Sequence, residues 1–410
     1  MNIRLSILFL FCLLSAAKSQ PVFQAFDRFN SPLPDNTCRT IAVDAQGRKW
    51  FGTEYGIAVY DDVNWTVYTS LNSGLTDNSI KHITFDAQQR AWISTQNGGV
   101  CVFDGTTWTS YTTANSDISV DYVRSTTIDR FGHAWICTNL GLNYFDGATW
   151  RIFDMSNSSL PVDNIAVIAI ENDSTRWIGT VNGGFVKMVD TAFTVYNLYL
   201  SNFPDNTITG VVIDTSGIKW GACPAGGLSR FFNGAVFAYN QVSSNIPTSS
   251  LTSLAFDSLQ NLYIGSFDKG LIKKSGNSFT YWDTQNSAMP DDLVYAVAVE
   301  RNGVIWCGTE THGVVRFDET GLSAVSEAVQ SGENALSIYP NPVSNRLHIQ
   351  RGEISPVFVE VIDRLGKTVW ESDIYTENTS LDVSSLPAGV YLLKSTSTSK
   401  TDIVRFIVSH

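Results

Sequence analysis

Short segments in which apolar and polar residues alternate follow one another along most of the chain, separated by turns rich in Asp, Asn and Gly. In the stretch 80–111 the alternation predicts strands at 80–85, 90–95, 100–103 and 108–111. Asp-Gly and Asn-Gly pairs, which accept the positive φ of tight hairpins, stand between the last two segments of several such groups. The pattern predicts an all-β protein of four-stranded units, whose recurring aspartates serve turns rather than a metal or acid–base site.

A four-residue signature that begins with a large aromatic residue recurs seven times, at intervals of 42 or 43 residues. The copies begin at Trp50, Trp92, Trp135, Trp177, Trp220, Tyr263 and Trp306. A period of about 40–45 residues with four short strands in each repeat is typical of a β-propeller blade. A repeated large ring needs a repeated slot, so we predict that these side chains fill the contacts between neighbouring blades.

The two ends of the repeat array indicate how the ring closes. After the segment 314–317 the seventh unit has no fourth strand, whereas a segment at 23–26, followed by 30–36, precedes the first unit. This early segment matches the fourth strand and turn of another unit at 150–153 and 157–164. We therefore predict a seven-bladed β-propeller closed by an N-terminal clasp strand, which removes the open edges of a broken ring.

The sequence of the repeat is clearest at 175–184, which reads Thr-Arg-Trp-Ile-Gly-Thr-Val-Asn-Gly-Gly. It resembles the two-component-regulator propeller family, and the resemblance covers about residues 21–318. In that family such propellers often form the periplasmic sensor half of hybrid histidine kinases. The resemblance implies a propeller fold and leaves a detached extracellular sensor module open as a function.

Three motifs lie in order near the C-terminus, at 336–342, 361–367 and 386–393. Together they resemble the type A sorting domain of the type IX secretion system of Bacteroidota. The resemblance implies export across the outer membrane, contact with the secretion machinery, removal of the domain by a sortase-like peptidase, and release or attachment to the cell surface. The alternating strands of this region fit a small immunoglobulin-like β-sandwich.

The remaining segments complete the predicted domain organisation. An apolar run at 5–14 behind Arg4, followed by small residues, predicts a secretory signal peptide at 1–19, and the run is too short to span a bilayer. The predicted domains are therefore the signal peptide at 1–19, the propeller at 20–320, a Ser-, Ala-, Glu- and Gly-rich linker at 321–334 and the sorting domain at 335–410.

Charge and cysteine content fit a secreted or surface protein. The net charge of −12 and the 16% of charged residues argue against nucleic-acid binding. Five cysteines follow the signal peptide, an odd number, and they fall in or beside predicted strands, so we predict buried thiols rather than a disulfide framework. Their spacing does not resemble a zinc site, and we predict neither a metal nor a cofactor.

The first candidate site is a row of cations. When the innermost predicted strands are aligned on their terminal acidic residues, Arg39, Lys81 and Arg124 share one position in the first three units. The other four units carry, in order, Ala166, Thr209, Thr252 and Tyr295. We predict that Arg39, Lys81, Arg124 and Tyr295 bind a ligand, an acidic glycan or a protein, because neighbouring cations on an acidic protein indicate an anion site. The alternative is that these charges are solvated or locally paired.

The second candidate site combines Glu310 and His312 of the seventh unit with Glu54 and Tyr55 of the first. These residue types could abstract a proton, as in propeller-based lyases, including the streptogramin lyases whose repeats look similar. A single loop histidine is a weak catalytic signal. We interpret the chain as an exported propeller that binds a glycan or protein partner, with a lyase acting on a polysaccharide or small molecule as the alternative.

Overall fold

The computed structural model describes residues 21–201, 203–319, 337–339, 343–350, 357–363, 367–376, 378–387, 389–396 and 401–408. All regular elements of these described residues are β-strands. The chain divides into two compact units, Gln20–Glu319 and a second that contains Thr320–His410. The predicted signal peptide and linker lie outside the described residues.

The first unit contains strands β1 to β28. Those of its first half are β1 (Val22–Phe26), β2 (Cys38–Val43), β3 (Lys49–Thr53), β4 (Gly56–Tyr60), β5 (Trp65–Tyr68), β6 (Ile80–Phe85), β7 (Ala91–Thr95), β8 (Val100–Phe103), β9 (Trp108–Tyr111), β10 (Val123–Ile128), β11 (Ala134–Thr138), β12 (Gly141–Phe145) and β13 (Trp150–Phe153). Those of its second half are β14 (Ile165–Ile170), β15 (Thr175–Thr180), β16 (Phe185–Val189), β17 (Ala192–Tyr196), β18 (Gly210–Ile213), β19 (Lys219–Cys223), β20 (Gly227–Phe232), β21 (Ala235–Tyr239), β22 (Leu251–Phe256), β23 (Leu262–Ser266), β24 (Leu271–Ser275), β25 (Ser278–Trp282), β26 (Val294–Val299), β27 (Ile305–Thr309) and β28 (Val314–Asp318).

Within residues 22–318 these strands form seven antiparallel sheets of four strands, numbered here 1 to 7 from the sheet that begins with β2. The first strands of the sheets, β2, β6, β10, β14, β18, β22 and β26, contact one another in that order, and β26 contacts β2. These innermost strands therefore form a closed ring, and the predicted propeller fold is confirmed.

Sheet 7 has the strand order β26-β27-β28-β1. Its outer strand β1 pairs antiparallel with β28, from Val22 opposite Asp318 to Phe26 opposite Val314. The N-terminal segment thus supplies the fourth strand of the last sheet, and the predicted clasp is confirmed. The pairing satisfies an edge of β28 that would otherwise expose its backbone groups.

The innermost strands also meet through side-chain hydroxyls. Ser125 Oγ donates to the carbonyl oxygen of Ala166 in the next sheet at 3.0 Å, and Thr127 Oγ1 donates to that of Ile168 at 3.1 Å. Such bonds satisfy carbonyl groups that an inner strand edge leaves without a partner in its own sheet.

The signature aromatics fill the contacts between neighbouring sheets. All seven are at most 6% exposed. Trp50 of sheet 1 lies 5.5 Å from the ring of Phe85 and 6.4 Å from that of Phe103, both in sheet 2. This arrangement confirms the packing role predicted from the repeat, because each ring removes apolar area from water on two sheets at once.

An acidic residue recurs between the first two strands of the sheets, and in sheet 5 it has two functions. Asp214 Oδ1 accepts the backbone N–H groups of Ser216 and Ile218 at 2.9 Å each, which shapes the turn. Its second oxygen, Oδ2, accepts the indole N–H of Trp220 at 3.0 Å. The same indole bond recurs in five other sheets, where the acceptors are Asp44, Asp86, Asp129, Glu171 and Glu300. The turn role was predicted from sequence, whereas the indole bond was not.

Replacing Asp214 by alanine is expected to lower the free energy of unfolding by about 1–3 kcal/mol more than the loss of the turn bonds alone. The reason is that the buried indole N–H of Trp220 loses its acceptor. Thermal or urea unfolding measured by tryptophan fluorescence checks this result.

Asp257→Ala is the matched control. Asp257 shapes the same turn in sheet 6, but there Tyr263 stands in place of tryptophan and its hydroxyl donates to Glu319 Oε2 at 3.1 Å. The control therefore loses the turn bonds, among them one from the side chain of Asn261 to Asp257 Oδ2 at 2.7 Å, but no indole bond. Equal destabilisation by the two variants would contradict the role of the indole bond.

The second unit contains β29 (Ser337–Tyr339), β30 (Arg346–Gln350), β31 (Val357–Ile362), β32 (Thr368–Ile374), β33 (Asn378–Asp382), β34 (Gly389–Thr396) and β35 (Thr401–Val408). Its described strands form two sheets, β29-β30-β33 and β32-β31-β34-β35. Alternate residues of these strands, among them Leu347, Val359, Leu393 and Phe406, form one buried core. The unit is thus a separate two-sheet β domain, and its immunoglobulin-like topology stays a prediction.

The five cysteines of the described residues are buried and free, which confirms the prediction of buried thiols: Cys38, Cys101, Cys137, Cys223 and Cys307. Burial raises the pKa of Cys137 to about 12, so this thiol stays protonated at neutral pH. In the described part of the chain there is no helix long and apolar enough to cross a membrane.

Candidate ligand-binding face

The aligned cations lie at β-bulges near the start of the innermost strands. In sheet 1, Cys38 pairs with Thr53 and Thr40 with Gly52, which leaves Arg39 as the extra residue. The same shift in register occurs at Lys81, Arg124, Ala166 and Tyr295. A bulge redirects a side chain away from the regular alternation of a strand.

The bulge residues define the rim of one face of the ring. This face, here the loop face, is formed by the turns that enter the innermost strands and by the connections between the second and third strands of each sheet. The sequence alignment therefore placed Arg39, Lys81, Arg124 and Tyr295 at equivalent positions correctly. Their role in ligand binding stays a prediction.

Two of the three cations share one carboxylate. Arg39 Nε donates to Glu54 Oε1, and Lys81 Nζ lies 3.4 Å from the same oxygen, while Ser79 Oγ donates to Glu54 Oε2. Burial by itself would raise the pKa of Glu54, but the hydrogen bonds from Ser79 and Arg39 and the charge of Lys81 hold it below its ordinary value. Burial lowers the pKa of Lys81, and the charge of Glu54 offsets part of that effect.

Arg39 also joins the two candidate sites of the sequence analysis. Its guanidinium carbon lies 4.4 Å from the ring centroid of Tyr295, and the Tyr295 hydroxyl donates to Glu310 Oε1 at 3.1 Å. The contacts thus run without a break from Lys81 through Glu54, Arg39 and Tyr295 to Glu310. We refer to these five residues, which span sheets 2, 1 and 7, as the rim network.

Arg124 differs from the other two cations. Its Nε donates to the neutral side chain of Asn164 at 3.0 Å, and its guanidinium carbon lies 5.1 Å from the ring centroid of Tyr122. Among the described residues, no carboxylate lies within ion-pair distance of Arg124. The rim therefore carries one guanidinium whose charge is not cancelled by a direct partner.

The rest of the rim is small and uncharged. Sheets 4, 5 and 6 carry Ala166, Thr209 and Thr252 at the positions aligned with the cations. Thr209 Oγ1 donates to the carbonyl oxygen of Thr252 at 3.0 Å, so this hydroxyl is used in joining two sheets. The rim is thus polarised, with its charges on sheets 7, 1, 2 and 3.

His312 contacts a carboxylate that has a structural function. Its Nδ1 lies 2.8 Å from Thr311 Oγ1 and 3.4 Å from Asp291 Oδ2. The same Asp291 oxygen accepts the backbone N–H of Thr311 at 2.9 Å and so caps the loop. Asp77 and Asp205 cap the equivalent loops of sheets 2 and 5 in the same way. Asp291 therefore belongs to a repeated loop cap, and its contact with His312 does not by itself indicate a catalytic pair.

The other proposed catalytic residues do not converge on His312. Glu310 and Glu54 belong to the rim network, and Tyr55 is 63% exposed. In the described contacts no hydrogen bond joins Glu310 to His312. A search of the described residues finds no cluster of His, Cys, Asp and Glu able to hold a metal ion. A catalytic role for these four residues stays a prediction.

A second feature of the loop face was missed in the sequence analysis. Large apolar side chains stand at the tips of the turns that enter the innermost strands, with exposed fractions from 46% to 98%: Phe29, Leu71, Met155, Leu198, Tyr199, Leu200 and Val242. Aligning the turns as well as the strands would have shown that Phe29, Leu71, Tyr199 and Val242 share one position in four of these turns.

The second unit identifies the route of export. Residues 337–409 match the secretion system C-terminal sorting domain. Among curated proteins, none matches this sequence. The match indicates export across the outer membrane, to the cell surface or the extracellular space, and implies contact with the secretion machinery.

Solved structures with the same fold include an extracellular domain of a two-component system and a surface component of a secretion system. The extracellular domain of a hybrid two-component system of B. thetaiotaomicron is 20% identical over 95% of this chain and 57% of its own, with a TM-score of 0.64. PorZ, a surface component of the type IX secretion system of Porphyromonas gingivalis, is 16% identical over 94% of this chain and 61% of its own, with a TM-score of 0.60. This chain therefore spans about three fifths of either neighbour.

A virginiamycin B lyase from Staphylococcus aureus has the same fold at 13% identity, over 73% of this chain and 99% of its own, with a TM-score of 0.59. Identities this low show a common fold and carry no residue role from one protein to another. The chain described here is an extracellular β-propeller with a type IX secretion sorting domain.

Proposed function

We propose that this exported propeller binds an acidic oligosaccharide or polysaccharide at the rim of its loop face, without breaking a bond in it. The observation that carries the proposal is the bulge rim, where four large polar side chains lie on one arc, opposite an arc of small residues. A bulge is a means of aiming side chains toward a ligand. The sorting domain is removed by a sortase-like peptidase after export, and the mature propeller is released or held at the cell surface.

Arg124 is the first contact for an acidic group in this proposal. Its guanidinium has no carboxylate partner in the described residues, and its Nε is fixed by Asn164, which leaves planar N–H donors for a carboxylate or sulfate. Tyr295 presents an aromatic ring beside Arg39, a surface on which a sugar ring can stack. Glu54 forms ion pairs with Arg39 and Lys81, and its charge weakens the electrostatic attraction of these two cations for the ligand.

Two substitutions are expected to change binding in opposite directions. Arg124→Gln should weaken the binding of an acidic oligosaccharide about tenfold or more, because it removes a charged hydrogen-bond donor. Glu54→Gln should strengthen binding, because it frees the charges of Arg39 and Lys81 while it still accepts the hydroxyl of Ser79. Titration with polygalacturonate and heparan sulfate fragments, beside neutral dextran, measures both effects.

Arg301→Gln is the matched control, since Arg301 is an exposed cation in a turn at the opposite end of the strands. It should leave affinity unchanged, and raising salt from 0.15 M to about 1 M should weaken acidic ligands as the Debye length falls from about 8 Å to about 3 Å. If Arg124→Gln binds the acidic fragments as well as the parent does, the proposed site is wrong. Shortened products carrying a new double bond would instead establish a lyase.

A further inference from the structure

Six of the seven turns that enter the innermost strands are locked in the same way. In the turn after β5, Asn72 Oδ1 accepts the backbone N–H of Thr69 at 2.7 Å, and Asn72 Nδ2 donates to the carbonyl oxygen of Val67 at 3.0 Å. Both bonds recur at one position in six turns, from the side chains of Asn30, Asn72, Asn115, Asn157, Ser243 and Asn286. Local side-chain to backbone bonds of this kind hold a turn in one conformation.

The turn between β17 and β18, which leads from sheet 4 to sheet 5, departs from this construction. Its equivalent position is Leu200, whose side chain has neither an oxygen to accept nor an N–H to donate, so neither bond can form. The leucine does not offset the loss by burial, because it is 72% exposed. The chain thus gives up two turn-locking bonds and presents an apolar side chain to solvent at the same position.

Leu200 lies among other exposed apolar residues. Tyr199, immediately before it, is 85% exposed, and Leu198 is 46% exposed. The turn from sheet 3 to sheet 4 presents Met155, and the turn from sheet 5 to sheet 6 presents Val242; they are 56% and 98% exposed. We refer to these five residues as the apolar arc. An exposed apolar group of this kind on a soluble protein indicates a contact surface.

The charges around the arc indicate what would bind there. On the loop face of sheets 3, 4 and 5 the connecting segments contain Asp154, Asp163 and Asp205, and no Lys or Arg occurs at 139–140, 154–164, 181–184, 197–209, 224–226 or 240–250. This surface is apolar with acidic borders. It favours a partner that presents apolar side chains flanked by Lys or Arg, and it disfavours an anionic lipid surface.

We propose that the apolar arc docks a second protein, through an exposed segment of that protein in which apolar side chains are flanked by basic residues. The arc lies on the same face as the rim, in the turns that enter sheets 4, 5 and 6, whose rim positions are small and uncharged. Tyr199 and Leu200 supply the central apolar contact, and Asp154, Asp163 and Asp205 favour the basic flanks. The two surfaces share no proposed contact residue, although Arg124 of the rim adjoins one end of the arc through its bond to Asn164. Either proposal can therefore fail without the other.

Leu200→Asn is the decisive variant, because it installs the residue found at this position in five other turns. It should keep or raise the melting temperature while it weakens docking. The probe is an array of short synthetic peptides with apolar centres and Lys or Arg flanks, together with the same peptides carrying Asp or Glu flanks or Ser centres. Apolar peptides with basic flanks should bind the parent protein. Either Tyr199→Ser or Leu200→Asn should lower the affinity for these peptides about tenfold or more.

Leu259→Ser removes an equally exposed leucine, 81% accessible, from a turn at the opposite end of the strands, and it should leave peptide binding unchanged. Three results would overturn the proposal. The first is equal binding of acidic-flanked and basic-flanked peptides. The second is a fall in melting temperature on Leu200→Asn, which would make the leucine structural. The third is Tyr199-dependent binding of phosphatidylcholine vesicles or self-association of the chain in place of peptide binding.

Discussion

A chain that ends after Glu333 is expected to fold its propeller normally and to disappear from the cell surface and the medium. The strands of the ring lie within 22–318, and the residues that match the sorting domain, 337–409, belong to a separate compact unit. Truncation therefore removes the export signal without removing a contact described for the ring. Cell fractionation followed by immunoblotting should find the truncated protein in the periplasm, with the melting temperature of the parent ring.

A pair of point variants separates the folded sorting unit from its linear motifs. Val359→Asp places a charge in the buried core of the unit, outside the three motifs, and should block export as truncation does. Ser372→Asp places the same residue at an exposed position of β32 and should leave export intact. Equal surface levels for the truncated and full-length chains would show that export does not depend on this unit.

Deleting residues 21–30 is expected to lower the free energy of unfolding of the propeller by about 3–5 kcal/mol or more. The deletion removes β1, which leaves β28 as an open edge, and it removes Phe23 and Phe26 from the core. Phe23 lies 4.9 Å from the ring of Phe317, and Phe26 lies 5.6 Å from that of Trp65 in sheet 1. The deletion therefore weakens the contact between the last and first sheets as well as the last sheet itself.

Urea unfolding followed by tryptophan fluorescence measures this loss. Phe26→Ala should account for a large part of it, since truncation of a packed phenylalanine typically costs about 3–5 kcal/mol. Phe29→Ser is the control in the same segment, because Phe29 is 83% exposed and its loss should change stability little. Coincident unfolding curves for the deletion variant and the parent would mean that the ring is closed by other contacts.

Much of the fold could be predicted from the sequence because the same physical constraint is repeated. Each sheet needs one large ring between itself and its neighbour, so the signature from Trp50 to Trp306 marks the sheets at nearly constant spacing. The clasp was predictable for a related reason. A segment with the sequence pattern of a fourth strand has to pair with the one sheet that lacks such a strand. Otherwise its own edge and the edge of that sheet both stay exposed.

The positions of the rim cations could be predicted from the sequence, but the carboxylate that pairs with them could not. The alignment placed Arg39 and Lys81 together because an equivalent position in a repeat means an equivalent position on the rim. Glu54, in contrast, was assigned to a different constellation, although it binds both cations. The identity of a counter-ion depends on which side chains of neighbouring sheets come within a few ångströms of each other. The spacing of the repeats along the sequence does not give these distances.

The turn at Leu200 shows a different limit. Its departure from the repeated asparagine is visible in the sequence once the turns are aligned, but a leucine could equally have been buried there as a core residue. The exposed fraction of 72% decides between these interpretations. Deviations from an internal repeat therefore indicate positions of interest, and the surrounding packing determines what they mean.

The clasp also imposes an order of events on the growing molecule. Because Val22 pairs with Asp318, the earliest strand of the ring can complete its ladder only after the last strand has been made. Sheets 1 to 6 are each formed by consecutive segments and can assemble as the chain emerges, whereas sheet 7 must wait for a contact between distant parts of the chain, which is slow to form. We therefore expect an early chain to be an open arc with two unpaired edges, and the ring to gain its resistance to proteolysis in one late step.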